Sequence, residues 1–194
     1  MPAASPGDDG LMARAEPHGR LAAAIDGDEV AFAALYRELQ PPLLRYLQVV
    51  VAGAAEDVAS ETWLELARDI RAFRGDEAGF RGWVFTVGRH RALDWQRRER
   101  RRPAEPMAEV PDTPTVDLTA DSALDAMASD DAVALIAQLP RDQAEAVMLR
   151  VIAGLDVATV ARLLRKRPGA VRVNTLRGLR RLAELLPADA LSEV

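Results

Sequence analysis

The sequence predicts an all-helical protein built as two small domains, and three observations carry that expectation. Of the 194 residues 49% are apolar, chiefly Ala, Leu and Val, whereas aromatic residues make up only 5%. That balance favours helices over β-sandwiches or barrels. Apolar residues recur at three- and four-residue spacing on both sides of residues 104–131, a stretch with eight acidic and no basic residues. The length suffices for two domains of roughly 70 to 90 residues each.

Composition also removes whole classes of function. With no cysteine and only His18 and His90, disulfides and thiolate chemistry are excluded, and a zinc site would have to be built largely from carboxylates. The apolar run near Val49 to Ala55 is far short of the about 20 residues that span a bilayer. Residues 1–20 also lack a signal-peptide core, so a cytoplasmic protein with no cofactor is expected.

Residues 1–20, rich in Gly, Pro, Ala and Asp, are expected to be a disordered tail. Asp26 or Asp28 should cap the first helix, whose stripe is Val30, Phe32, Leu35, Tyr36 and Leu39. Pro41 and Pro42 should interrupt it, a restarted helix then carrying Leu43, Leu44 and Leu47 toward Val51. Next, Val58, Thr62, Leu66 and Ile70 repeat every four residues beside Ala59, Trp63 and Ala67. The polar side of that helix stacks Asp57, Glu61 and Glu65 at i, i+4, which costs a few tenths of a kcal/mol per like-charge pair in an isolated helix. Arg74 to Gly82, with three glycines, reads as a loop, and a helix from about Trp83 runs through Val84, Val87 and Leu93 into an arginine-dense end. Pro103 and Pro106 should close this first domain, residues 21–103, and residues 104–131 should form an acidic flexible linker.

The second domain, residues 132–186, begins with Leu135, Ile136 and Leu139 before Pro140. Ala144, Val147, Met148 and Val151 form one helix stopped by Gly154; Asp156 caps a short helix holding Val157, Val160, Leu163 and Leu164. After a turn at Arg165 to Arg167, Pro168 opens the last helix, and residues 187–194 form a tail. Two short helices and a tight turn leading into a basic helix are a helix-turn-helix candidate.

Charge distribution points to nucleic acid. Residues 1–88 carry 8 basic and 14 acidic side chains, residues 89–103 carry 7 and 2, residues 104–131 carry 0 and 8, and residues 132–194 carry 10 and 6. Between Arg162 and Arg181 there are eight basic residues and no acidic one, whereas an ordinary solvated helix face mixes signs. On the last helix Val171, Thr175, Gly178 and Leu182 share the packed side, leaving Arg172, Val173, Leu176 and Arg177 for a major groove. The other cluster, seven arginines from Arg89 to Arg102 around Trp95, suits phosphates beside exposed bases. Trp83 fits the core better than base stacking, and Trp95 suits either equally. Glu61 and Glu65 have no histidine nearby for acid-base work, and no phosphate-binding glycine loop is present, so an enzyme is not expected.

In this order the parts resemble a bacterial extracytoplasmic-function (ECF) sigma factor, the two-domain form of the sigma-70 family. The likeness rests on Glu56-Asp57-Val58-Ala59-Ser60-Glu61-Thr62-Trp63-Leu64; on Phe73-Arg74-Gly75-Asp76 with Phe80-Arg81-Gly82-Trp83-Val84 and Arg89-His90-Arg91-Ala92-Leu93-Asp94; and on Leu139-Pro140, Val147-Met148-Leu149-Arg150, Gly154-Leu155 and Pro168 to Leu182. Ser60 and His90 stand where glutamine and asparagine are commoner. Thr175 and Gly178 replace larger apolar residues or alanine, and are expected to leave the last helix less firmly packed, Gly178 by up to about 1 kcal/mol of propensity.

The resemblance implies a transcription initiation factor and not an enzyme. It implies that Asp57, Ser60, Glu61, Trp63 and Leu64 bind core RNA polymerase. Arg74, Asp76, Phe80, Arg89, His90, Arg91, Arg97, Arg98 and Arg101 would meet the minus-ten element and its melted strand. Arg167, Arg172, Val173, Asn174, Leu176, Arg177 and Arg180 would read the minus-thirty-five element. The implied partners are the polymerase β′ clamp and β flap, double- and single-stranded promoter DNA and an anti-sigma factor, with no membrane and no small-molecule substrate. The acidic linker is further expected to screen the two basic patches in the free protein. Two rival readings are a helix-turn-helix regulator with a sensing or dimerising N-terminal domain, and a scaffold that binds polymerase without reading DNA.

Overall fold

Local sequence signals set nearly every helix end in the computed structural model, which describes residues 17–101 and 131–185. Helix α1 (Pro17–Asp26) begins inside the expected tail and buries Leu21 and Ala24 just beyond it. The tail expectation is therefore corrected for residues 17–20; its remainder, nearly all of the linker and residues 187–194 lie outside the described residues. Asp28 caps α2 (Glu29–Val51), its carboxylate accepting from the Val30 and Ala31 amides at 2.8 and 3.0 Å.

Helix α2 runs unbroken through Pro41 and Pro42, against expectation. Each proline removes one intrahelical N–H, a cost of about 3 kcal/mol in a helix interior. Pro41 is exposed and Pro42 half-buried, so neither ring takes up a place in the core. The buried stripe Leu35, Leu39, Leu43, Tyr46 and Leu47 continues across the pair and holds both halves to one core. Helix α3 (Ala55–Asp69) buries Val58, Ala59, Thr62, Trp63 and Leu66. The expected loop at 74–82 is shorter than its glycines suggested: α4 (Glu77–Arg101) starts within it, capped by Asp76, whose carboxylate accepts from the Gly79 amide at 2.8 Å. Tyr46 meets Phe85 edge-on at 5.9 Å in the middle of this module.

A helical segment at 131–137, α5, precedes α6 (Arg141–Val147), which widens into a π turn at Met148–Ile152. The turn shifts the register: Met148 and Leu149 are buried, whereas Val151, expected on the apolar stripe, is 52% exposed. Gly154, at φ 67°, reverses the chain in a conformation that strains any side-chain-bearing residue. Helices α7 (Val157–Leu164) and α8 (Pro168–Leu185) complete the second module. Gly178 corrects the expectation of loose packing, because its missing side chain is what lets α8 lie directly on α6. Among the described residues there is no strand, and no helix is long and apolar enough to cross a membrane. Helix α6 and its π turn pack on α2, so both modules feed one continuous apolar cluster.

Candidate nucleic-acid interface

The geometry of the second module starts from Asp156. One carboxylate oxygen accepts from the Ala158 and Thr159 amides at 2.8 and 2.9 Å, and the other from the Thr159 hydroxyl at 2.6 Å. Those hydrogen bonds, led by the threonine hydroxyl, hold the Asp156 pKa below the usual carboxylate range. Helix α7 ends at Arg165 in the left-handed conformation, φ 54°, its N–H bonded to the Ala161 and Arg162 carbonyls, and three residues later Pro168 starts α8. This is the angled helix pair of a helix-turn-helix.

Helix α8 divides as its sequence predicts. Val171 and Gly178 are buried, Leu182 packs on the core, and Thr175 donates to the Val171 carbonyl at 2.9 Å. Arg167, Arg172, Val173, Leu176, Arg177 and Arg180 are exposed and Asn174 is half-buried. One solvent face therefore offers guanidinium groups interleaved with short apolar side chains, the chemistry that meets phosphates and base edges.

In the first module several expected DNA contacts are engaged internally. Arg89 donates Nε to Glu145 at 3.0 Å, Arg91 to Glu65 at 2.7 Å and Arg97 to Asp94 at 2.8 Å, and Arg98 lies 3.5 Å from Glu61. The bond to Glu65 raises the Arg91 pKa above its ordinary value. Arg91 and Arg98 thus neutralise two members of the acidic column on α3 that the sequence left uncompensated. Arg74 folds back, donating to the Arg71 and Phe73 carbonyls, while His90 and Arg101 are exposed.

Two expected contact residues are buried in this structure. Phe80 is fully enclosed, edge-on to Phe73 at 5.5 Å and to Trp83 at 5.8 Å, and so packs the α4 start in this structure. Trp63 is 6% exposed, tilted against Tyr36 at 4.9 Å, with its indole N–H donating to Gln40 at 2.6 Å. Asp57, Ser60 and Leu64, with half-buried Glu61, form the solvent face of α3, and Leu64, at 66% exposure, is its large apolar side chain. Half-buried Trp83 stacks on Phe73 at 5.2 Å, and Trp95 is half-buried against the core.

Sequence reasoning missed Glu145, a carboxylate only 5% exposed on α6. It receives Arg89 from α4 and also Arg141, one turn earlier on its own helix, at 2.9 Å. The signal was present: Glu145 interrupts the apolar run Ala144 to Leu149, where a carboxylate needs a partner. Beyond this pair, α4 and α7 enclose a groove of about 680 Å³ lined by Gly79, Thr86 and His90 on one side and Asp156, Thr159 and Arg162 on the other. Among the described residues no cluster of His, Asp or Glu is arranged to hold a metal ion.

Comparison with known proteins addresses both modules. The family model of Sigma-70 region 2 matches residues 35–102, and that of Sigma-70, region 4 matches residues 129–182. The chain is 34% identical over 167 residues to the ECF RNA polymerase sigma factor BldN of Streptomyces coelicolor, covering 84% of this chain and 63% of that protein's length. It is 33% identical over 175 residues to the ECF RNA polymerase sigma factor ShbA of Streptomyces griseus, covering 84% of this chain and 91% of ShbA. In fold it is similar to CnrH solved with the cytosolic domain of CnrY, at TM-score 0.58 and 20% identity over 89% of this chain and 98% of CnrH. It is also similar to RpoE of Bartonella quintana solved with the anti-sigma factor NepR, at TM-score 0.59 and 22% identity over 81% of this chain and 98% of RpoE.

Proposed function

The chain belongs to the ECF RNA polymerase sigma factors, which are transcription initiation factors, and from that premise we propose how its residues divide the work. The solvent face of α3, Asp57, Ser60, Glu61 and Leu64, docks on the polymerase β′ clamp, and the second module reaches the β flap. Helix α8 enters the major groove of the minus-thirty-five element: Arg172 and Arg177 contact base edges and phosphates, Arg167 and Arg180 contact phosphates, and Val173, Asn174 and Leu176 fill the groove between them. His90, Arg97, Arg98 and Arg101 on α4, with Arg74 and Asp76 before it, hold the melted minus-ten strand. Unstacking a base costs a few kcal/mol, so a site that holds the flipped base lowers the free energy of the open complex without any covalent step. The chain is accordingly a specificity subunit that works beside the chromosome in the cytoplasm, and not an enzyme. The functional units are residues 21–103 and 132–186. An anti-sigma factor is a further expected partner, since RpoE was solved with the anti-sigma factor NepR and CnrH with the cytosolic domain of CnrY.

The observation that carries this reading is the α8 surface, where buried Val171 and Gly178 fix the helix so that Arg172, Arg177 and Arg180 face solvent. A helix-turn-helix regulator would explain that surface but not the region 2 match at residues 35–102. Transcription in vitro with purified core polymerase tests the proposal. Promoter-dependent initiation is expected with the native chain and is lost on Arg172→Ala with Arg177→Ala while polymerase binding persists. Undiminished promoter selection by that double variant would overturn the assignment of α8.

A further inference from the structure

Arg20 of α1 reaches two other helices at once. Its Nη2 donates to Glu38 of α2 at 2.7 Å and to Glu77, the first residue of α4, at 3.3 Å. The second Glu38 oxygen accepts from Arg81 of α4. Two guanidinium groups and two carboxylates thus balance where α1, α2 and the start of α4 converge. All four side chains are partly open to solvent, between 26% and 38% exposed, and ion pairs in that position add little to stability. What such a cluster can supply is placement.

The segment it places is the turn before α4. Glu77 follows Asp76, whose carboxylate caps α4 through the Gly79 amide, and Arg74, Gly75 and Asp76 are exposed. On one side the turn rests on the Phe73 ring: a Cβ on Gly75 would come within 3.1 Å of it, and one on Gly79 within 3.6 Å. On the other side a cleft of about 470 Å³ separates Gly75 to Ala78 from Leu21, Ala22 and Ile25 of α1. Packing therefore fixes the turn from the Phe73 side, and the bond from Arg20 to Glu77 spans what packing leaves open. The Arg20 Nε is enclosed and finds no hydrogen-bond partner among the described residues. An enclosed donor left unpaired works against stability, and such local conflicts gather where a side chain is kept for what it positions.

Resting on the proposed function above, we propose that Arg20 is a positioning residue for the minus-ten turn. It acts through Glu77 to hold residues 74–76 where they meet the melted strand, and touches no DNA itself. A displacement of about 1 Å at such a contact costs a large factor in rate although the fold is intact. Helix α1 thereby takes part in promoter opening.

The test uses the full chain with core polymerase on a promoter carrying 2-aminopurine at each minus-ten position in turn, whose fluorescence rises as that base unstacks. Arg20→Ala is expected to slow the rise about tenfold. Glu77→Ala should do the same, and the two together should be no slower than either alone, because they remove one shared contact. Arg20→Lys, which keeps the charge, should recover most of the rate. The thermal midpoint and the affinity of the full chain for a minus-thirty-five duplex should stay those of the native chain, which a general loosening of the fold would not allow. A midpoint or duplex affinity that falls together with the rate would overturn the proposal. A slow Arg20→Ala beside a normal Glu77→Ala, or losses that add, would overturn it too, by making Arg20 a DNA contact in its own right. An unchanged rate in Arg20→Ala sinks this proposal alone, whereas no rise with the native chain sinks the minus-ten assignment and the proposal with it.

Discussion

Gly178 of α8 faces Val147 of α6 so closely that a Cβ in its place would lie 2.7 Å from the valine Cγ2 and 3.4 Å from Gln143. Val147 is β-branched and almost fully buried, with little freedom to turn away. Helix propensity favours Gly178→Ala by about 1 kcal/mol, whereas overpacking a close helix contact costs about 1–3 kcal/mol. The substitution is expected to lower the thermal midpoint, and Val147→Ala in the same chain to recover part of that loss. A higher midpoint for Gly178→Ala alone would contradict the contact.

Asp156→Ala removes the acceptor for two backbone amides at the start of α7 and is expected to cost about 1 kcal/mol in denaturant unfolding. Because folding lowers the Asp156 pKa from its ordinary 3.8, its charged form is favoured in the folded chain. The resulting stability is fully present above the ordinary value and is lost as pH falls through the lower, folded value. The gap in stability between native chain and Asp156→Ala should therefore be constant near neutrality and narrow below about pH 4. Unfolding curves at stepped pH check this.

Gln40→Leu leaves the nearly buried Trp63 indole N–H without its acceptor, which costs about 1–3 kcal/mol. The denaturation midpoint should fall accordingly, while α8-dependent DNA binding by the folded chain should not change. An unaltered midpoint would mean that water replaces the amide.

Each phosphate contact on α8 should appear in the salt dependence of binding to a minus-thirty-five duplex. Arg167→Ala and Arg180→Ala are each expected to reduce the slope of log affinity against log salt by about 0.9. Leu176→Ala should weaken binding without moving that slope.

Periodicity and caps made most of the fold legible: Asp28, Asp156, Gly154 and Pro168 end or begin helices where their chemistry says they should. What stayed hidden was set by partners distant in sequence. Pro41 and Pro42 read as a break because local propensity does not register a core stripe spanning both sides. Gly178 read as a weakness because its neighbour Val147 is 31 residues away. The α8 surface was readable from one helix alone. The burial of Phe80 and Trp63 was not readable in the same way, since Tyr36 of α2 covers Trp63 and Phe73 joins Trp83 of the same helix in covering Phe80. Glu145 was missed for the same reason, since one of its two partners, Arg89, belongs to the other module.

The wide turn at Met148–Ile152 makes the spacing of this stretch matter as much as its residue types. At 3.6 residues per turn, excising one position swings everything beyond it by about 100° around the axis. Gly154 and Asp156 would then aim α8 at a different compass bearing. Substitutions there adjust the grip, but a single-codon deletion redirects the hand.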